Sequence, residues 1–516
     1  MYFTGWTESN NFPTQNNGTF FQGNLKGGSL KDAMIVKLNP DGNAKLWATY
    51  FGGNRYDFGY SIDYKSPYLY VVGYATTMVA PFVLNFPVLP APGAYNQTTH
   101  GDANGTTTSR IDVFIGKFTA DGTQKWTTFL GGDGTEIPTG CAVDGGGNLF
   151  VTGYSRNAGA FTCTSLPGVF PLCDPGGGAY VAANNNTIYV DAFISKFNLQ
   201  GQLLWSTMYG GFNDDRPQIS ESVTNAITID VTGNIYVLGT TKSFTIPVDT
   251  VPGAYIQGVS AGVTPLDEDL FILKFNPNGV RLWATMYGGN FKDFGTAIEA
   301  DPVYNKVYIS GFTQSTNLPL MQYQGPSTYY QQSGKSGNWE GFLLVLNEND
   351  TLEWATYIGG SNDEYPKSIS LDAQTNGNTS FVLAGHTNSP NYPVRDIPGP
   401  TDYHDSILAD MDVVITEFIS DPGVVGVDEP ASANNSFVLY PNPSIGLITF
   451  NGGPFEGQDI EITVYNIEGA KVHSQLKHIA RGAGEITLDL SSLASGTYVL
   501  QLKADEELFS YKVVKQ

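Results

Sequence analysis

The sequence has few charged residues, a deficit of bases and no long apolar run. Charged residues make up 15% of the 516 residues, and 26 Lys and Arg face 49 Asp and Glu, for a formal net charge of -23 at pH 7. A field of that sign repels nucleic acid and anionic lipid surfaces, so we expect no nucleic-acid partner. The most apolar stretch, residues 78–89, is too short and contains too much proline to span a bilayer as a helix, which predicts no membrane span.

Motifs of common catalytic and metal sites are also missing. The five histidines lack zinc-ligand spacing and no Cys-x-x-Cys pair occurs. The sequence has no phosphate loop, dinucleotide fingerprint or Gly-x-Ser-x-Gly elbow. It therefore names no catalytic residue, and we expect no cofactor.

Cysteine is scarce, and the odd number of three leaves at least one thiol unpaired. Cys163 and Cys173 lie ten residues apart in one segment. We expect a loop-closing disulfide between them in an oxidising compartment. Cys141 is then a buried free thiol on a strand, and the alternative is three free thiols.

Glycine and aromatic residues are plentiful, at 60 residues and 13% of the chain, and both take part in an internal repeat. The unit Trp-x-Thr-x-x-Gly-Gly-x-x-x-acid occurs five times, beginning at Trp47, Trp126, Trp205, Trp283 and Trp354. Around it lie an Asp-led run such as 112–117, a short run ending in an acid such as 143–144, and a Tyr-Val-x-Gly run such as 70–73. These runs are rich in β-branched and aromatic residues and are bounded by turn residues, so each unit predicts four short strands.

Both faces of such strands are apolar, so the sheets must be covered on both sides. Radial stacking of four-stranded sheets achieves this and protects most sheet edges. We therefore expect an all-β fold containing a β-propeller of about six blades, with seven as the alternative for a longer chain. Long insertions rich in Gly, Pro, Asn and Tyr separate two of the strands in each unit, and loops of that length are usually functional or disordered.

The succession Trp-x-Thr-x-x-Gly-Gly, Val-Asp and Gly-Asn-x-Tyr-Val-x-Gly resembles the bacterial β-propeller repeat family called SBBP, over residues 1–418. The resemblance implies that the Val-Asp run is the inner strand A of a blade. The Tyr-Val-x-Gly run is then strand B, the Asp-led run strand C and the Trp run the outer strand D. The first blade would lack strand A and the last blade strand D, so we expect the chain to be N-terminally truncated.

Residues 419–436 are small and polar and predict a linker, and residues 437–516 alternate as in a small Ig-like β-sandwich. The segments Leu-Tyr-Pro-Asn-Pro, Asn-Ile-Glu-Gly and Ser-Gly-Thr-Tyr-Val-Leu and the terminal Lys-Val-Val-Lys resemble the type A C-terminal sorting domain of type IX secretion cargo in Bacteroidota. The motif residues are Tyr440, Pro441, Asn442, Pro443, Gly469, Gly496, Tyr498 and Lys512.

The second resemblance implies partners and a location. These are the type IX secretion machinery, a sortase-like protease that cuts in the linker, and a secreted or surface-attached product. Such cargo needs a signal peptide, and the segment after Met1 shows none, which again favours truncation. The alternative for residues 437–516 is a generic carbohydrate-binding module.

An acid follows each Gly pair by four residues, and these acids predict a partial ring at the channel mouth: Asp57, Glu136, Asp215, Asp293 and Glu364. The ring could bind Ca²⁺ or hydroxyl-rich ligands, with Tyr95 and Tyr255 of the insertions as flat faces for sugar rings. The alternative is that each acid only caps the backbone N–H groups of its own turn.

Because no acid departs from the repeat pattern to mark a catalytic pair, the sequence favours a non-catalytic propeller that binds glycan or protein through its loop-bearing face. An extracellular polysaccharide hydrolase or lyase is the alternative.

Overall fold

A computed structural model describes the chain in segments. They are residues 1–26, 30–77, 85–99, 110–157, 159–166, 168–184, 188–216, 226–262, 267–323, 332–373, 379–393, 412–420, 439–440, 444, 446–451, 457–466, 470–480, 485–504 and 507–515. The chain divides into two compact units, Met1–Pro422 and Gly423–Gln516. Every regular element in the described segments is a strand, which confirms the all-β prediction.

Six antiparallel sheets, numbered 1 to 6, follow one another along the first unit, and none of them closes on itself in the described segments. Sheet 1 consists of β1 (Tyr2–Thr7), β2 (Asp32–Leu38) and β3 (Lys45–Phe51). Sheet 2 consists of β4 (Asp57–Lys65), β5 (Tyr68–Thr77), β6 (Arg110–Thr119) and β7 (Gln124–Leu130). Sheet 3 consists of β8 (Glu136–Val143), β9 (Leu149–Ser155), β12 (Asp191–Phe197) and β13 (Leu203–Tyr209). The short strands β10 (Ala160–Phe161) and β11 (Pro171–Leu172) pair with each other inside the insertion of sheet 3.

Sheets 4 to 6 repeat the pattern. Sheet 4 consists of β14 (Asp215–Arg216), β15 (Ile227–Ile229), β16 (Ile235–Thr241), β17 (Asp269–Phe275) and β18 (Arg281–Tyr287). Sheet 5 consists of β19 (Asp293–Ala300), β20 (Val307–Thr313), β21 (Glu340–Leu346) and β22 (Leu352–Ile358). Sheet 6 consists of β23 (Glu364–Ala373), β24 (Thr379–Thr387) and β25 (Asp412–Ser420). Each full sheet runs A, B, C, D in chain order, and in sheet 4 strand A is represented by β14 and β15. In the described residues sheet 1 begins at strand B and sheet 6 ends at strand C.

Consecutive sheets pack on one another through their A strands. Strand β4 contacts β1 and β8, β15 contacts β8 and β19, and β19 contacts β23. Side chains of one strand A also bind the backbone of the next, since Val143 N donates to Asp63 Oδ2 at 2.7 Å and Ala300 N donates to Thr228 Oγ1 at 3.1 Å. The sheets therefore form a continuous row.

A lysine at the end of strand C joins each of the first four sheets to the next. Lys37, Lys117 and Lys196 donate to backbone carbonyls of the following sheet, at Ala120, Leu199 and Pro277, over 2.7, 2.5 and 2.6 Å. These lysines are the charged ends of the Asp-led runs. Between the sheets lie apolar clusters in which Trp47, Trp205 and Trp283 are at most 1% exposed.

The second unit contains two antiparallel sheets around one apolar core. The first has the order β26 (Leu439–Tyr440), β27 (Leu447–Asn451) and β30 (Glu485–Asp489), and the second has the order β29 (Lys471–His478), β28 (Asp459–Asn466), β31 (Gly496–Ala504) and β32 (Glu507–Lys515). Ile448 and Phe450 of one sheet and Ile462 and Leu502 of the other are fully buried in that core.

Candidate ligand-binding surface

The five predicted acids occupy the same place at the start of strand A in five sheets. All are buried, with at most 2% exposure. Four of them accept a hydrogen bond from the second glycine of the Gly pair, from Gly53, Gly132, Gly211 and Gly289, at distances of 2.5–3.1 Å. The fifth, Glu364, accepts at Oε1 from the Thr387 hydroxyl at 3.0 Å and from the Ser389 hydroxyl. The four glycine bonds are the local capping that the sequence left open as an alternative, and a role in ligand or Ca²⁺ binding stays a prediction.

A second acid lies beside each of the five, at the start of strand C in the preceding sheet. In each case the two acids lie on either side of the first glycine of the Gly-Gly motif. The acid pairs are Asp32 and Asp57, Asp112 and Glu136, Asp191 and Asp215, Asp269 and Asp293, and Glu340 and Glu364. Burial is the main cause that raises the pKa of Asp191 to about 8 and that of Asp293 to about 7, and the neighbouring acid raises each further. The first glycine of the pair is therefore required because a side chain there would collide with two carboxyl groups.

The rest of the repeat motif holds the insertion against strand D. The indole Nε1 of Trp47, Trp126, Trp205 and Trp283 donates to a carbonyl of the insertion at 3.0–3.1 Å. The threonine two residues later accepts from an insertion N–H at 2.8–2.9 Å, as Thr128 does from Gln97 and Thr285 from Gln257. The Trp-x-Thr-x-x-Gly-Gly motif is thus explained by structure alone.

The two tyrosines predicted as sugar platforms take part in this anchoring. Tyr95 is 5% exposed, its ring packs on Phe197, and its hydroxyl donates to Gln97 Oε1 at 3.0 Å. Its ring therefore has no free face for a sugar. Tyr255 is half-buried, packs on Tyr287 and donates to Gln257 Oε1 at 3.1 Å.

The cysteines lie in sheet 3 and its insertion. The Sγ atoms of Cys163 and Cys173 form a disulfide, with Cα atoms 4.4 Å apart. Cys141 is a free, buried thiol on β8, 3.3 Å from Ser61 Oγ, and burial raises its pKa. In the described residues no group of three or more His, Cys, Asp or Glu side chains is placed to bind a metal ion.

A repeated set of aromatic side chains lies next to the buried acids, and we call it the collar. It combines the residue after the strand A acid with the residue after the strand B glycine, which are cross-strand neighbours in each sheet. The collar residues are Trp6, Phe58, Tyr74, Tyr154, Phe294, Phe312, Tyr365 and His386, and the strand A position of sheet 3 holds the non-aromatic Ile137. The sequence contained this signal, because both positions are adjacent to residues of the repeat motif.

Collar rings contact one another across sheet boundaries. Trp6 lies 5.5 Å from Phe58 between sheets 1 and 2, and Phe312 lies 5.2 Å from Tyr365 between sheets 5 and 6. The Lys31 ammonium group lies 3.8 Å from the centre of the Trp6 ring. Trp6 is 45% exposed, so this end of the collar presents an aromatic face and a cation to solvent.

The predicted sorting residues lie in the second unit. Tyr440, Gly496, Tyr498 and Lys512 are on strands, and the Tyr498 hydroxyl donates to Ala494 O at 2.8 Å. The remaining four, Pro441, Asn442, Pro443 and Gly469, lie outside the described residues, as does most of the predicted linker. No helix in the described segments is long and apolar enough to cross a membrane.

Comparison with known proteins gives distant relatives for the repeats. A WD repeat-containing protein of Acanthamoeba polyphaga mimivirus is 24% identical over 313 residues, 54% of this chain and 21% of that protein. The regulatory protein FlaEY of Caulobacter vibrioides is 25% identical over 293 residues, 55% of this chain and 27% of that protein. The chain thus spans about a quarter of the length of these curated relatives. A glycoside hydrolase family 32 β-fructofuranosidase of Bombyx mori aligns over 89% of this chain and 86% of its own at 10% identity, with a TM-score of 0.24 that carries no argument.

The C-terminal comparison is specific. Residues 438–516 match the family of secretion system C-terminal sorting domains. This match agrees with the sorting motifs in the sequence and with the separate compact unit in the structure. The chain therefore carries a type IX secretion sorting domain at its C-terminus, and such a domain implies export to the cell surface or the medium.

Proposed function

We propose that residues 1–418 form a β-propeller of the SBBP type whose collar-bearing face binds glycan or protein outside the cell. The row of six sheets supports this, and so does the distant relative named for WD repeats, which build propellers. A further support is the pair Glu299 of sheet 5 and Asp63 of sheet 2. Burial, and then the charge of Asp63, raises the pKa of Glu299 to about 7. An interaction between carboxyl groups of the second and fifth sheets is what a row curved around a common axis would produce.

The collar is the observation that carries the binding function. Flat aromatic faces suit the apolar C–H face of a sugar ring or a partner's apolar side chain, and Tyr and Trp also offer a polar edge. Trp6 is 45% exposed and the neighbouring Tyr56 is 43% exposed. Because the chain is acidic overall, the partner we favour is a neutral glycan or a surface that is not strongly acidic.

The sorting domain determines how this binding surface reaches its partner. After export, a sortase-like protease cuts between the propeller and the sorting domain, within residues 419–436. The propeller is then released or attached to the cell surface. Mass spectrometry of the mature protein in the medium and on cells tests this step, and a mature C-terminus outside residues 419–436 contradicts it.

A glycan and surface-protein array tests the binding function with the full chain and two matched variants. Trp6 and Phe3 lie on the same strand with equal exposure of 45%, but on opposite faces of it. Trp6→Ala should lose at least about 10-fold in affinity for the array ligand, whereas Phe3→Ala should bind as the unmodified chain does. Equal binding by both variants, or no ligand on the array, refutes the proposal.

A further inference from the structure

Sheet 4 interrupts the collar. At the two collar positions it carries Arg216 and Thr240, which are cross-strand partners on β14 and β16. In place of aromatic rings there is a cavity of about 170 Å³ lined by Asp214, Arg216, Thr240, Lys242 and Glu268. This is a departure from the repeat, and neither the propeller fold nor the capping of the Gly pair requires it.

The charges in the cavity are balanced and partly accessible. Arg216 Nη2 lies 2.8 Å from Asp214 Oδ2, and Lys242 Nζ lies 3.1 Å from Glu268 Oε1 and 3.8 Å from Asp214 Oδ2. The two basic side chains are 34% and 35% exposed, and the two carboxylates are 19% and 11% exposed. A guanidinium has five N–H donors and an ammonium three, so the cavity holds both donors and acceptors in a small volume without net charge.

Two exposed phenylalanines lie close in sequence to residues that line the cavity. Phe212 precedes Asp214 by two residues and is 75% exposed, and Phe244 follows Lys242 by two residues and is 66% exposed. Their turns are joined, because Asn213 N donates to Ser243 Oγ at 2.9 Å and Lys242 N donates to Asp214 O at 2.9 Å. The turns that carry the two rings are therefore held together beside Asp214 and Lys242.

We propose that the cavity of sheet 4 binds one neutral hexose unit of a glycan. Hexose hydroxyl groups donate to Asp214 and Glu268 and accept from Arg216 and Lys242, and the apolar face of the ring packs on Phe212 or Phe244. The two carboxylates would repel an anionic sugar, and the two basic side chains would repel a cationic sugar. Pockets for drug-sized ligands measure roughly 300–1,000 Å³, so a cavity of about 170 Å³ suits a single sugar ring.

This inference rests on the proposed glycan-binding function and assigns a subsite on the same face. Saturation-transfer NMR on the full chain tests it with the methyl glycosides of glucose, galactose and mannose. Glucuronic acid and glucosamine serve as charged probes. At least one neutral hexose should bind, and Lys242→Gln and Phe244→Ala should each weaken it by at least about 10-fold.

The matched control is Lys306→Gln, because Lys306 forms an ion pair with Glu353 over 2.6 Å in sheet 5 and is also partly exposed. It should leave hexose binding unchanged. If Lys242→Gln does not fold, Phe244→Ala decides, since truncating a side chain that is 66% exposed leaves the core intact. The inference is overturned if only a charged sugar binds, if no probe binds, or if Phe244→Ala binds normally. If the unmodified chain then still binds its array ligand and Trp6→Ala abolishes that binding, the cavity is rejected as a sugar site and the collar function is retained.

Discussion

Lys274 and Asp350 form a buried ion pair between sheets 4 and 5, with 2.8 Å between Nζ and Oδ2. The Tyr236 hydroxyl donates to the other oxygen of the same carboxylate at 2.8 Å. Asp350 has a φ of 59° and occupies the turn position that glycine fills in the first four sheets, for example as Gly279. An aspartate in this strained position is explained by the buried lysine that it neutralises.

We predict that Asp350→Gly destabilises the protein despite relieving that backbone strain. Removing one partner of a buried ion pair costs about 3–5 kcal/mol, while the left-handed conformation costs a non-glycine residue about 1–2 kcal/mol. A net loss of about 2 kcal/mol in unfolding free energy should appear in urea denaturation. Asp350→Asn keeps one oxygen that can accept from Tyr236 but loses the charge that neutralises Lys274, so it should also destabilise the protein. A variant as stable as the unmodified chain would show that the ion pair contributes nothing.

We also predict that Gly288→Ala destabilises the protein. A Cβ at this position would lie 2.4 Å from Asp269 Oδ1 and 2.9 Å from Asp293 Oδ2, and both carboxyl groups are buried. Overpacking of this kind costs about 1–3 kcal/mol, and more where neighbours cannot move. Gly334→Ala is the control, because a Cβ there meets no atom within 4 Å. Equal unfolding midpoints for the two variants would contradict the packing argument.

The strand pattern and the repeat could be predicted from the sequence because both depend on local alternation and turn residues. The acids of strand A were placed correctly at the Gly pairs, but the partner acids of strand C come from the preceding sheet. Pairs such as Asp269 and Asp293 are therefore visible only once the sheets are packed. The burial of Tyr95 was missed for the same reason, since the insertion folds back onto strand D and the ring packs against Phe197 of the next sheet.

The collar could have been found from the sequence, and the charged cavity in part. Aromatic residues after the strand A acid and after the strand B glycine recur in step with the repeat except at Ile137 of sheet 3, and sheet 4 departs at both positions, with Arg216 and Thr240. That the two positions are cross-strand neighbours follows from the register, which includes a β-bulge in strand A of sheets such as sheet 5. Sequence spacing alone does not give this register.

The acid pairs predict a specific dependence of stability on pH. Burial is the main cause that raises the pKa of Asp269 to about 6 and that of Asp293 to about 7, against 3.8 for an ordinary aspartate. Because the folded-state values are raised, the stabilisation is complete below about pH 4 and is lost as the pH rises through 6 and 7. The thermal midpoint should therefore fall between pH 5 and pH 8.

Asp269→Asn should reduce that slope, because it removes one titrating group and the charge that raises the pKa of Asp293. Among the described residues none donates a hydrogen bond to Oδ1 of Asp269, so an amide nitrogen at this position loses no donor contact there. The exposed Asp41→Asn is the control and should retain the full slope. Parallel pH profiles for Asp269→Asn and the unmodified chain would refute the assignment.

The cysteines should differ sharply in reactivity. With the Cys163–Cys173 disulfide intact and Cys141 buried, the native protein should alkylate at no cysteine. It should alkylate at one cysteine after unfolding without reductant and at all three after unfolding with reductant, as counted by intact mass. The double variant Cys163→Ser, Cys173→Ser should lose about 2–3 kcal/mol at most, the entropic estimate for so short a loop. Three alkylated cysteines after unfolding without reductant would exclude the disulfide.

Export should require a folded sorting domain, since a family-specific signal on two packed sheets is presented only when the core is intact. Leu502 is fully buried on β31, whereas Leu476 is 74% exposed on β29 of the same sheet. Leu502→Asp places an unpaired carboxylate in an apolar core, which costs several kcal/mol and should unfold a unit this small. The protein should then remain in the periplasm of an expressing cell with a type IX system, as seen by fractionation and immunoblotting.

Leu476→Asp introduces the same charge on the same sheet at a solvent-exposed position and should be exported normally, which separates loss of folding from the added charge. Circular dichroism of both purified chains should show strand loss only for Leu502→Asp. Normal surface or medium levels of a Leu502→Asp chain with a demonstrably unfolded C-terminal unit would mean that the machinery recognises a linear motif. In that case substitution of Lys512, on the terminal strand β32, should block export without unfolding the domain. If the machinery instead recognises the folded domain, the same substitution should only weaken export.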